Sequence, residues 1–135
     1  MNFLSIRVIT ADIRRLVTFY ERVSGASARW FTDDFAELTL GAGTLALASE
    51  RTMTQFAAGA ARGADNRSVI LEFLVPDVDA EFARLRGDVL GEILQEPTTM
   101  PWGNRSLLFR DPDGNLVNLY TPVTEPAKQR FAGRM

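Results

Sequence analysis

The sequence predicts an α+β fold in which a β-α-β-β-β unit occurs twice. Three observations carry that expectation. A strand-like segment followed by an amphipathic helix opens the chain, and the same pair returns after residue 66. The two openings match in register: Ile6-Arg7-Val8-Ile9-Thr10-Ala11-Asp12-Ile13 lies over Leu71-Glu72-Phe73-Leu74-Val75-Pro76-Asp77-Val78, and Gly43-Thr44-Leu45 aligns with Gly114-Asn115-Leu116. Such paired anchors in one element order indicate an internal repeat. Finally, Asp111-Pro112-Asp113-Gly114-Asn115 is turn chemistry between two extended apolar runs, which marks a hairpin near the C-terminus.

Each element has its own warrant. Phe3 to Thr10 alternates and is rich in β-branched residues, as strands are. Thr10 or Asp12 can cap the helix that follows, whose apolar face is Ile13, Leu16, Val17, Tyr20 and Val23. Gly25 ends it. Ala28 to Phe31, Phe35 to Leu40 and Thr44 to Ser49 read as three strands, turning at Thr32-Asp33-Asp34 and Gly41-Ala42-Gly43. A connector rich in Ala and Gly, Glu50 to Asn66, joins the halves, its tip either mobile or forming a short helix over Met53 to Ala61. The second round runs through a strand at Arg67 to Val75 and a helix opened by Pro76-Asp77, with Val78, Phe82 and Leu85 on its apolar face. Strands are then expected at Gly91 to Gln95, Asn104 to Arg110 and Leu116 to Tyr120. The expected organisation is one domain over residues 1–122, made of modules at about 1–50 and 67–122. Residues 123–135 form a C-terminal tail that is either strapped down or frayed.

Composition narrows the chemistry. The chain has 135 residues, 46% hydrophobic and 24% charged, ordinary for a globular domain. It contains no cysteine and no histidine, which removes disulfides, thiolate ligands, the commonest metal ligand and the commonest general base. A net charge of −2 gives no reason to expect a nucleic-acid or membrane partner. No apolar run reaches ~18 residues, so no membrane span is expected and the default compartment is the cytoplasm.

Several segments together resemble the glyoxalase/bleomycin-resistance/dioxygenase group, the vicinal oxygen chelate superfamily. They are Asp12-Ile13-Arg14-Arg15-Leu16-Val17-Thr18-Phe19-Tyr20, Leu71 to Asp79, Met100-Pro101-Trp102-Gly103 and Asp111 to Leu116. The resemblance spans residues 3 to 122. It implies that the two modules curl into an open, barrel-like mixed sheet around a cavity with helices outside, and that the protein is a homodimer. It also implies a wall of four ligand positions in metal-using members, which fall here on Ser5, Leu47, Ile70 and Asn118. Two are aliphatic, one is a hydroxyl and one an amide. Divalent transition metals are held by imidazole, thiolate or carboxylate, so this set will not hold one and no cofactor is expected. A scaffold of this kind carries many chemistries, so the resemblance alone does not fix an activity.

Strand alternation then selects the cavity-facing side chains. In the first strand Phe3, Ser5, Arg7 and Ile9 are expected inward, with Leu4, Ile6 and Val8 beneath the helix. Ile70, Glu72 and Leu74 are expected inward in the equivalent strand, and Leu116, Asn118 and Tyr120 in the last. Arg7 and Glu72 occupy matching positions and would fix a polar ligand group or form a structural ion pair. Trp30, Phe35 and Trp102 would sandwich a planar ligand or simply pack. Glu37 is a further inward carboxylate or an exposed strand residue. Asp111 and Asp113 are turn formers, and Gly41-Ala42-Gly43 precedes a strand and is therefore no phosphate loop.

The expected ligand-binding set is Ser5, Arg7, Trp30, Phe35, Glu37, Leu47, Ile70, Glu72, Trp102, Asn118 and Tyr120, with no catalytic residue assigned. The function expected is metal-free capture of a small organic molecule, resembling the drug-sequestering bleomycin-resistance proteins and hence antibiotic resistance. The alternatives are a metal-dependent lyase or dioxygenase with ligands at unusual positions, and an interaction module whose cavity is closed.

Overall fold

The computed structural model describes residues 1–134, and the chain divides into two compact units, Met1–Asn66 and Arg67–Met135. The first unit runs β1 (Ser5–Thr10), α1 (Ile13–Ser24), β2 (Arg29–Thr32), β3 (Phe35–Leu40) and β4 (Gly43–Ser49), then a 3₁₀ helix (Glu50–Gln55). The second runs β5 (Ile70–Leu74), α2 (Val78–Leu85), β6 (Ile93–Thr99), β7 (Asn104–Arg110), β8 (Leu116–Pro122) and α3 (Glu125–Arg130). Each unit is a four-stranded mixed sheet with its helix outside. The strand orders are β1-β4-β3-β2 and β5-β8-β7-β6. In both, the first and last strands pair in parallel and the other pairs are antiparallel.

The repeat extends to the caps. Asp12 accepts a hydrogen bond from the Arg15 amide at the start of α1, and Asp77 accepts from the Ala80 amide at the start of α2. Each satisfies one of the amides that a helix leaves without an internal partner. Gly25 closes α1 at φ 73°, in the left-handed region, where its amide donates to the Glu21 carbonyl.

The packed face of the first sheet carries Ala36 and Leu38 on β3 and Leu45 and Leu47 on β4, all buried, beneath Leu16, Val17 and Tyr20 of α1. In the second sheet Leu71, Leu107, Phe109, Val117 and Leu119 are buried alongside Val78 and Leu85 of α2. Alternation places the residues between these on the opposite face of each sheet.

Several boundaries differ from the sequence expectation. β1 begins at Ser5, leaving Phe3 and Leu4 exposed ahead of it, and Ile6 is 36% exposed and not closed beneath the helix. The connector forms a 3₁₀ helix over Glu50–Gln55, which shares only Met53 to Gln55 with the expected helix at Met53 to Ala61. The backbone there turns through positive φ at Ala57 and Ala64. β6 continues past Gln95 to Thr99 and carries Pro97, with two register shifts against β7. As the outermost strand of its sheet it can accommodate a residue with no amide proton.

Residues 123–134 of the expected tail contain α3, and Met135 lies outside the described residues. The short helix has a capping Thr124, Pro126 in its first turn, a buried Ala127, and Lys128 and Arg130 in its last turn. A proline at the start and cations at the end both suit the unsatisfied groups and dipole of a helix.

Candidate functional site

On the face of the second sheet opposite its packed core, the register places Glu72 beside Asn118 in the parallel β5–β8 pair, and Leu108 beside Asn118 in the antiparallel β7–β8 pair. Asn118 is 9% exposed and its Nδ2 donates to Glu72 Oε2 at 2.8 Å. That bond fixes the amide's orientation, because a flipped amide would set oxygen against oxygen. The other end, Asn118 Oδ1, is buried with no hydrogen-bond partner among the described residues. Such an atom is costly unless a donor reaches it.

Ile70 and Tyr120 share this face by alternation, and Ile70 is exposed. The Tyr120 ring lies 5.4 Å from that of Phe131, centroid to centroid. Burial, and then the negative charge of Glu72, push the Tyr120 hydroxyl above its ordinary pKa, while Arg130 and Arg134 oppose the shift. Tyr120 is therefore a neutral hydrogen-bond donor throughout the physiological range.

The first sheet carries a different set. Across it, Arg7, Ala46, Glu37 and Arg29 stand in one row, given by the Arg7–Ala46, Ala46–Glu37 and Glu37–Arg29 pairings. The Arg7 Cζ lies 5.0 Å from the Phe35 ring centroid and 5.7 Å from that of Phe56. Arg29 lies over Phe31 at 4.8 Å, and Phe31 is 5.7 Å from Phe35. Ser5 shares the face and is exposed.

Two expected site residues fall elsewhere. Leu47 is fully buried and pairs with Val8, which places it on the packed face with Leu45. The Glu72–Asn118 pair is matched in the first unit by Arg7–Ala46, so the wall position belongs to Ala46. The aligned repeat had slipped by one residue in β4, and a one-residue slip moves a side chain to the other face of the sheet. Trp30 pairs with Ala36, also on the packed face, with the Arg14 guanidinium of α1 over its ring at 5.5 Å. Arg14, Trp30, Phe31, Thr32 and Asp33 line an open recess of about 460 Å³. Trp102 is 62% exposed in the turn between β6 and β7.

Sequence reasoning did not find Phe56 or Phe131. Each is the one large aromatic side chain in an otherwise small or polar segment, and that isolation was the available signal.

The residues present do not fit the metal that the resemblance implies. With the register corrected, the implied positions are Ser5 and Ala46 in the first unit and Ile70 and Asn118 in the second. Ala46 and Ile70 offer no lone pair. Glu72 adds one carboxylate, and it already accepts from Asn118. Among the described residues no three Asp or Glu side chains gather as a cation site. The side chains present offer hydrogen bonds, charge and aromatic surface.

The topology and its sequence match agree on the class. Residues 2–119 match the model of the glyoxalase/bleomycin resistance protein/dioxygenase superfamily, and the chain belongs to that superfamily. It is 26% identical over 125 residues to the uncharacterized protein YraH of Bacillus subtilis, covering 89% of this chain and 98% of that protein. The solved structure of virulence protein STM3117 from Salmonella typhimurium is 26% identical, with a TM-score of 0.71, covering 91% of this chain and 98% of that one. A glyoxalase/bleomycin resistance protein/dioxygenase from Nocardioides is similar in fold, with a TM-score of 0.75 at 20% identity, over 93% of this chain and 85% of that one. No helix among the described residues is long and apolar enough to cross a membrane.

Proposed function

We propose that this chain is a metal-free small-molecule-binding protein, resembling the bleomycin-resistance type of drug binder, that sequesters an organic ligand in a cavity or dimer groove. The supporting observation is the wall itself. Where a charged metal-binding residue would stand, Asn118 presents an amide whose donor end is committed to Glu72 and whose acceptor end is buried and unpartnered. Ser5, Arg7, Phe35, Glu37, Ile70, Glu72, Trp102 and Tyr120 supply the remaining contacts in this reading, with Trp30 as an outlying aromatic. Residues 1–122 act as one domain, the protein works as a cytoplasmic homodimer, and antibiotic resistance is its role. Micromolar capture needs about −8 kcal/mol, which a few ring contacts and two polar contacts can supply.

Isothermal titration of the purified protein against a panel of planar antibiotics, with metal analysis after dialysis, tests the proposal. Saturable one-to-one heat from a panel member, with the metal content far below stoichiometric, is the expected result. Stoichiometric iron, manganese, zinc or nickel retained through dialysis would replace it with the metal-dependent lyase or dioxygenase.

A further inference from the structure

We infer that Arg7 is a recognition site for a carboxylate, so that the captured ligand is an organic acid; this rests on the binding function proposed above. The argument begins with the matched pairs Arg7–Ala46 and Glu72–Asn118. In the second unit the charged residue finds an amide beside it and is hydrogen-bonded at 2.8 Å. In the first unit the neighbour is Ala46, which offers no acceptor. Arg7 is exposed and its side-chain contacts are two rings, Phe35 and Phe56. Within its unit it has no carboxylate partner among the described residues, whereas Arg51 and Arg62 each have one.

Neither ring offers a carboxylate oxygen or other lone pair to the guanidinium. Its N–H groups form a rigid planar fork that matches a carboxylate with two parallel bonds. Phe35 and Phe56 therefore limit the rotamers of Arg7 without consuming its donors, which lowers the ordering cost of binding. Phe56 is set there by the 3₁₀ helix at the end of β4, of which it is the C-terminal flanking residue. The same rings offer apolar surface to the body of a planar acid.

Two charges bear on the sign. Glu37 stands two strands from Arg7 in the same row, about 10 Å away by sheet spacing, and weakens anion binding. Arg29 stands directly beyond Glu37 and offsets it.

Calorimetric titration of the full chain with 2-naphthoate, 2-naphthamide and 2-naphthylmethylammonium tests the assignment, since the three differ mainly in charge. Naphthoate is expected to bind about tenfold more tightly than the amide, the scale of a charge-assisted bidentate contact. Arg7→Gln should remove that advantage, so that naphthoate binds no more tightly than the amide. Arg7→Lys, which keeps the charge and loses the fork, should retain part of it, and Glu37→Gln should tighten naphthoate binding. Equal binding of naphthoate and naphthamide, a preference for the ammonium probe, or a carboxylate preference that survives Arg7→Gln would overturn the inference while leaving small-molecule binding intact. Absence of heat with all three probes would overturn both.

Discussion

Asn118 and Glu72 satisfy each other at one end only: the amide nitrogen donates to the carboxylate at 2.8 Å, and the amide oxygen is buried with no partner among the described residues. Parallel pairing of β5 with β8 sets the two residues side by side. The neutral amide thus lets a carboxylate sit on this face without a second negative charge beside it.

Replacing Asn118 with Asp removes that arrangement. Two carboxylates in contact resist joint ionisation, so the pair's folded-state pKa rises above the unfolded value. The resulting destabilisation is present above the raised pKa and is relieved as pH falls through it. Asn118→Asp is expected to cost about 1–2 kcal/mol at pH 7, discounted for the exposure of Glu72, and much less at about pH 4. Urea unfolding at the two pH values checks this, and an equal cost at both would show that the residues do not interact electrostatically.

Gly103 holds the C-terminal helix to the β6–β7 turn. Its φ is 95°, and a Cβ added there would lie 2.1 Å from Thr124 Oγ1 and 3.0 Å from the Ala127 Cβ. Thr124 is the cap of α3, and its amide and that of Val123 both donate to the Gly103 carbonyl. Gly103→Ala therefore combines backbone strain with a displaced cap. A loss of about 2–4 kcal/mol is expected. Hydrogen exchange should show the Lys128 and Phe131 amides, which close α3, losing protection before the β7 and β8 amides do.

Much of this architecture was legible because it rests on local chemistry. Asp12 and Asp77 announce their helices, Gly25 ends one, and Asp111 orders its turn by accepting from the Asp113 and Asn115 amides at 2.9 Å each. The wall position in β4 was misread because glycines were aligned with glycines. Gly114 is the positive-φ residue of its turn, at 84°, whereas Gly43 opens β4 and the positive φ belongs to Gly41, at 57°. The two turns reach their last strands by different routes, so residue identity is a poor guide to register, and matching the glycines points to Leu47 where the wall position is Ala46. α3 was missed for another reason: six residues are too few to show a helical period, and its cap and proline were the only sequence marks. Phe56, one of the two ring partners of Arg7, depends on where the connector folds, which no local pattern encodes.

Acid sensitivity should concentrate at Asp34, which ties the β2–β3 turn to the end of β4. Its carboxylate accepts from Arg51 Nη2 at 2.6 Å and from the buried Ser49 hydroxyl at 2.7 Å, and its carbonyl accepts from the Ser49 amide at 2.9 Å. Arg51 first, and then Ser49, hold the Asp34 pKa below the ordinary carboxylate value. A lowered folded-state pKa contributes stability that is full above the unfolded value, near pH 4, and is lost as pH falls through the depressed value. The wild-type protein should therefore lose stability more steeply below about pH 4 than Asp34→Asn, whose amide does not titrate. Because Arg51 is largely exposed, high salt should flatten the wild-type slope toward that of the variant. Urea midpoints measured from pH 6 to pH 3 at low and high salt test both statements. Parallel acid slopes for the two proteins would place the sensitivity elsewhere, with the Asp79–Arg105 pair next to examine, since Arg105 lowers the Asp79 pKa in the same way.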